Sequence, residues 1–287
     1  MPLAFSSLPA LRALALGLVA ALATGCGALI TPAREVEIGR GVDGELRKQY
    51  QLVDADDPVA TFARDFVAPL QAGSAKFRNP SEIGGFKVSV IADDKLVNAF
   101  AAPGGYTYIS TGLLLSAESC AEIAGVMGHE LAHVTQKHGV KAIEQAMAAQ
   151  QIADLILGQG TLSSQAAVTI LNILQSTKFS RDDEAEADGV GLQIAAAAAY
   201  NPYGLAAFFQ KLLKLERGGM PEILSSHPAT DSRIRAVKTE IQKRYPNRYQ
   251  EAEVKTQPCQ KTKLQLDEVK QRIRDKRLKL APKAGQT

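Results

Sequence analysis

The sequence predicts an α+β fold, predominantly helical, with a small β-sheet or hairpin set beside one central helix. Three observations carry this. Apolar residues recur at helical spacing over several segments, most clearly at Ile123, Val126, Met127, Leu131 and Val134. Residues that favour strands concentrate between Phe86 and Thr111, around a Pro103-Gly104-Gly105 turn. A length of 287 residues, 46% hydrophobic and 22% charged, suits one sizeable core. A net charge of +3 is too small to argue for nucleic acid as a partner.

Taken in order, residues 1–25 read as an export signal. Leu11 to Ala23 is an apolar run with Arg12 near its start, and it ends in small residues before Cys26. Gly25-Cys26 resembles a bacterial lipobox, which implies cleavage before Cys26 and lipidation at that residue. Residues 26–34 then form a tether. Gly27, where other sorting signals have Asp, implies the outer membrane. No later segment is apolar for long enough to span a bilayer.

Residues 35–245 are expected to form the domain. Glu35 to Gln71 reads as two helices broken near Asp54-Ala55-Asp56-Asp57, with Asp57 capping the second and Pro58 in its first turn. Phe86 to Ala92 reads as a strand, and Asn98 to Thr111 as a hairpin. Ser119 to Glu122 is a capping-box pattern for the central helix, and Gly139 is the expected stop. Lys141 to Leu157 and Leu162 to Gln175 read as a helical hairpin split at Gly158-Gln159-Gly160, serving as core packing or as a lid over a cleft. Tyr203 to Arg217 and the stretch carrying Arg233, Ile234 and Val237 are further helices. Residues 246–287 read as a polar, basic extension: a solvated tail with a weakly amphipathic stretch at Leu264, Val269, Ile273 and Leu278.

The chemistry centres on Gly128-His129-Glu130-Leu131-Ala132-His133. Residues four apart on a helix are about 400° apart around its axis and share a face. His129 and His133 can therefore offer both imidazoles to one Zn²⁺. Glu130 lies beside the open side, where a carboxylate can take a proton from a water whose pKa zinc has lowered to about 7. Downstream, Glu184 and Asp188 are again four apart. Glu184 would complete a two-His, one-Glu site, and Asp188 could accept the second ring N–H of a zinc-bound His; a solvated acidic helix face is the alternative. His138 is turned off the ligand face and reads as structural.

Four stretches in fixed order resemble the zinc metallopeptidase family of the CAAX prenyl protease and HtpX, especially its small bacterial periplasmic lipoproteins. They are Asn98-Ala99-Phe100-Ala101-Ala102-Pro103-Gly104-Gly105, the His129 motif, Glu184-Ala185-Glu186-Ala187-Asp188, and Ser226-His227-Pro228 followed by Arg233-Ile234. The resemblance implies a zincin-type domain, one zinc held by His129, His133 and Glu184, and Glu130 as general base. It leaves His227 two roles: stabilising the oxyanion, or filling the metal's fourth position at rest. Arg233 would orient His227 or substrate, or bridge to an acid. Asn98 to Ala102 would form an edge strand that binds extended polypeptide through Asn98, Ala99, Phe100 and Ala101, with a turn-stabilising role the alternative for Asn98.

The implied function is a zinc endopeptidase anchored through Cys26 to the outer membrane of a Gram-negative bacterium, facing the periplasm. It would hydrolyse misfolded or unassembled envelope proteins, with the outer-membrane assembly machinery as a partner. The alternative is an assembly factor that holds clients with little proteolysis. In that oxidising compartment Cys120 and Cys259 remain as an even pair, and a disulfide between them would pin the tail to the body.

Overall fold

The computed structural model describes residues 29–158, 160–215 and 222–283. The expected export signal and Cys26 lie outside the described residues. From Pro32 onward the described chain forms one unit.

Helix α1, Pro32–Gln49, starts three residues ahead of the expected Glu35. Helix α2, Pro58–Ser74, begins as its sequence dictates: Asp57 accepts the Val59 N–H at 2.8 Å, and Pro58 occupies the first turn. Strands β1 (Lys87–Ile91), β2 (Ala99–Ala102) and β3 (Tyr106–Ser110) follow. The β2–β3 pair is the expected antiparallel hairpin, with Phe100 opposite Tyr108. β1 joins the other side of β3 in parallel, giving the order β1-β3-β2 and leaving β2 on an edge. Gly104 and Gly105 carry the turn at φ of 72° and 77°, a conformation that suits residues without a Cβ.

After the short helix α3 (Thr111–Ser116) comes α4, Cys120–Thr135, and every one of its residues is buried. Ser119 caps it by accepting the Glu122 N–H. The expected capping box does not close, because the Glu122 carboxylate accepts from the Glu118 N–H instead, at 2.8 Å. Nor does the helix run to Gly139. It stops at Gln136-Lys137, where Lys137 turns left-handed at φ 60°, and Gly139 lies inside the next helix.

That next element is α5, His138–Gln150, followed by α6 (Ala153–Leu157) and α7 (Ser164–Ser176). The first arm of the expected hairpin is thus broken at Gln151, also left-handed at φ 54°. Helix α8, Arg181–Ala197, opens with a reciprocal capping box between Ser180 and Asp183. Then come α9 (Gly204–Leu215), α10 (Ile223–Ser226), α11 (Asp231–Arg244) and α12 (Leu266–Arg274). Among the described residues no helix is long and apolar enough to cross a membrane.

Two glycine contacts set how closely the helices approach α4. A Cβ on Gly191 of α8 would stand 2.8 Å from the backbone N of His129, and one on Gly128 would meet the Gly191 carbonyl oxygen at 2.8 Å. Nearer the start of α4, a Cβ on Gly204 of α9 would stand 1.9 Å from the Ala121 carbonyl oxygen. Backbone lies against backbone at both places, a separation that no larger residue permits.

The C-terminal segment is not the solvated tail expected from residue 246. Leu266, Val269 and Ile273 of α12 are buried in the main core. Beyond them, Val53 bridges to Leu280, and the Lys279 N–H donates to Asp57 Oδ2 at 2.7 Å. Cys120 and Cys259 are joined, their Cα atoms 5.1 Å apart. The apolar face of this short helix, the disulfide and the bridge at Leu280 together dock an otherwise polar segment.

Candidate metal centre

Helix α4 brings His129 and His133 to one face, and their Nε2 atoms lie 3.0 Å apart. Helix α8, held close by Gly191, delivers Glu184: its Oε2 is 3.7 Å from His129 Nε2, and its Oε1 is 3.6 Å from His133 Nε2. His227, just past α10, places Nδ1 2.7 Å from Glu184 Oε1 and 3.3 Å from His129 Nε2. One donor atom from each of these four buried residues lies within 4.8 Å of all the others.

The surroundings orient these groups. His129 Nδ1 is 2.9 Å from Asp188 Oδ1. Arg233 donates to both Asp188 oxygens, at 2.9 and 2.8 Å, and its Nη1 lies 2.5 Å from Glu184 Oε2. The guanidinium therefore spans the two acids of α8 while its Cζ rests 4.6 Å from the Phe209 ring centre. It does not contact His227 as a hydrogen-bond donor; its remaining bond goes to the Pro228 carbonyl. The His133 ring is covered by Phe179 at 4.3 Å.

Burial pushes the Glu130 carboxyl above its ordinary value, against the opposing influence of His227 and His129. Burial, with His129 and His227 close by, pushes His133 well below the ordinary imidazole value. It is thus neutral, as a ligand must be. Burial alone would raise Glu184 and Asp188. The His227 hydrogen bond to Glu184, and the His129 and Arg233 hydrogen bonds to Asp188, outweigh it and hold both acids low.

The donor set suits zinc: two helical imidazoles and a carboxylate, with further oxygen or nitrogen donors to close a tetrahedron. Glu130 is the strongest observation for such an ion. Its Oε1 is fully buried without a hydrogen-bond partner, 3.8 Å from His227 Nε2, and a bare carboxylate oxygen there is costly unless something polar faces it.

A cavity of about 360 Å³ opens beside Glu130, His133 and His227. Asn98, Phe100, Ala101 and Ala102 of the edge strand line it. Ala99 does not face the cavity; strand alternation turns its side chain into the core, where it is 1% exposed. Val42 and Leu46 of α1, Val140 of α5 and Leu171 of α7 supply apolar walls. The helical hairpin thus packs on the body and also bounds the cleft.

Sequence reasoning missed two neighbours of the site. His138 lies with Nδ1 2.9 Å from His133 Nδ1, and its place off the ligand face hid this, since the contact depends on the left-handed turn at Lys137. Phe179 had no periodic pattern to mark it.

Fold and site together are those of a zinc metallopeptidase domain. The chain belongs to peptidase family M48, whose model matches residues 67–241, and that family is zinc-dependent. Among curated proteins it resembles the beta-barrel assembly-enhancing protease of Escherichia coli K12, at 28% identity over 230 residues, covering 74% of this chain and 45% of that protein. The metalloprotease LoiP of the same organism is 32% identical over 157 residues, covering 53% of this chain and 61% of LoiP. The mitochondrial metalloendopeptidase OMA1 of Arabidopsis thaliana is 33% identical over 144 residues, covering 50% and 29%. The chain spans under half the length of the assembly-enhancing proteases it matches.

Proposed function

We propose that this chain is a zinc endopeptidase of the bacterial envelope that cleaves misfolded or unassembled proteins, tethered to the outer membrane by a lipid on Cys26 and facing the periplasm. The observation that carries the catalytic part is the meeting of His129, His133 and Glu184 beneath an unpartnered Glu130 carboxylate oxygen. His129, His133 and Glu184 would hold the metal, which when bound polarises a carbonyl and acidifies water.

This chain's own residues would do the rest. The exposed edge of β2 pairs with an extended polypeptide through main-chain hydrogen bonds, a mode that needs no folded substrate. Glu130 takes a proton from the attacking water and returns it to the leaving amine. The apolar walls of the cavity exclude bulk water and strengthen the charges within. His227, whose Nδ1 is among the donors, would add a further ligand when the metal is bound or donate to the developing oxyanion.

The test is Glu130→Gln. The variant keeps stoichiometric zinc and loses casein cleavage by several orders of magnitude. Cleavage at the wild-type rate sinks the assignment. A client-holding role without proteolysis has one point in its favour, the words "assembly-enhancing" in the name of the relatives. If Glu130→Gln restores envelope integrity in a deletion strain as well as wild type does, that second reading replaces the first.

A further inference from the structure

We propose that His138 is a positioning residue that fixes the proton of His133 through a chain of single hydrogen bonds ending at Glu186; this rests on the zinc reading above. His133 turns Nε2 toward the donor cluster and Nδ1 away from it, 2.9 Å from His138 Nδ1. A neutral imidazole that gives its Nε2 lone pair to a metal carries its proton on Nδ1. Two nitrogens 2.9 Å apart need one proton between them, so His138 Nδ1 is the acceptor. The His138 proton then sits on Nε2, and that atom lies 3.1 Å from Glu186 Oε2, with Asp183 Oδ1 at 3.5 Å. Each assignment forces the next, and the chain ends on a carboxylate that is 47% exposed while the His138 side chain is fully buried.

The two ligand histidines are therefore backed differently. His129 has the Asp188 carboxylate directly behind it, itself held by Arg233. His133 has a neutral imidazole behind it, and the carboxylate stands one ring further out. The backbone is bent to achieve this. Lys137 adopts φ 60° between α4 and α5, a left-handed conformation that a residue with a Cβ rarely takes. That turn starts α5 one residue later and folds His138 back over the ligand three positions beyond the end of α4. A helix running on to residue 139 would carry His138 to another face.

The experiment compares zinc affinity at fixed pH, by competition with a chromophoric chelator, for the full chain and for His138→Leu and His138→Asn. Removing the acceptor weakens zinc binding by roughly 10–100-fold in His138→Leu. His138→Asn, whose carboxamide oxygen stands near the former Nδ1, recovers most of that loss. Nitrogen-15 histidine spectra of the zinc-loaded protein show His138 protonated on Nε2 alone. The inference fails if His138→Leu binds zinc as tightly as wild type, if Asn and Leu lose equally, or if the His138 proton is on Nδ1. Wild-type protein that binds no stoichiometric zinc overturns the underlying site reading as well, which separates the two failures.

Discussion

Gly191→Ala isolates the helix crossing that brings the two halves of the site together. The added Cβ would stand 2.8 Å from the backbone N and 2.9 Å from the Cα of His129. Neither atom can rotate away, so α8 must retreat by about 0.6 Å to reach ordinary contact. Glu184 rides on the same helix, two turns nearer its start. Metal–ligand distances tolerate deviations of only about 0.2 Å. The strain of such overpacking is about 1–3 kcal/mol; expressed wholly in metal affinity, it is roughly 5- to 150-fold. The assay is chelator competition at fixed pH, with thermal unfolding of the metal-free and loaded forms. Gly189→Ala is the control on the same helix, where the new Cβ meets nothing within 4 Å. It should leave affinity unchanged and gain up to about 1 kcal/mol of helix propensity. If Gly191→Ala binds zinc as Gly189→Ala does, the close approach of α4 and α8 does not set the site, and the reasoning fails.

Arg78→Ala should destabilise the protein by about 3–5 kcal/mol, because it strands the buried Glu35 carboxylate, which Arg78 meets at 3.0 and 2.6 Å. Thermal unfolding checks this, and a loss under about 1 kcal/mol would count against it. Asp94→Asn should flatten the acid limb of stability. Burial pushes Asp94 up, but hydrogen bonds from Lys276 and Thr111 outweigh it and hold its carboxyl below the usual value. A carboxyl lowered in the folded state adds stability above its unfolded pKa of about 3.9 and loses it as pH falls through the lower folded value. The variant should therefore be less stable than wild type above about pH 4 and converge with it in stronger acid, as read by urea unfolding at stepped pH.

Much of this was legible because short-range rules decide it. The i, i+4 spacing that puts His129 and His133 together also puts Glu184 above Asp188, and both spacings depend only on helix geometry. Asp57-Pro58 announced a helix start through its own side chain and ring. What could not be read depends on contacts distant in sequence. The Leu266, Val269 and Ile273 face is too sparse to show that it docks on the core. The parallel pairing of β1 with β3 joins strands separated in sequence by β2, which no local pattern announces. The stop at Lys137 was misplaced because Gly139 is the better residue for a left-handed turn, and the chain does not use it there.

The site demands that one helix be immobile, and contacts distant in sequence hold it; of these, only the disulfide was legible in advance. At the start of α4, Cys120 is joined to Cys259, Glu122 is paired with Lys211, and the Lys270 ammonium of α12 donates to the Ala117 carbonyl just ahead of it. At its end, Arg78 donates to the Val134 carbonyl at 3.2 Å while gripping Glu35, whose Oε1 also accepts the Gly104 N–H beside the edge strand. Between these clamps Gly128 lies against Gly191. Donors meant for a single ion must be held within a few tenths of an ångström before it binds, or binding must supply the ordering. The C-terminal segment thus belongs to the metal centre in the mechanical sense. It carries no donor, but it closes one end of the clamp on the helix that carries His129, Glu130 and His133.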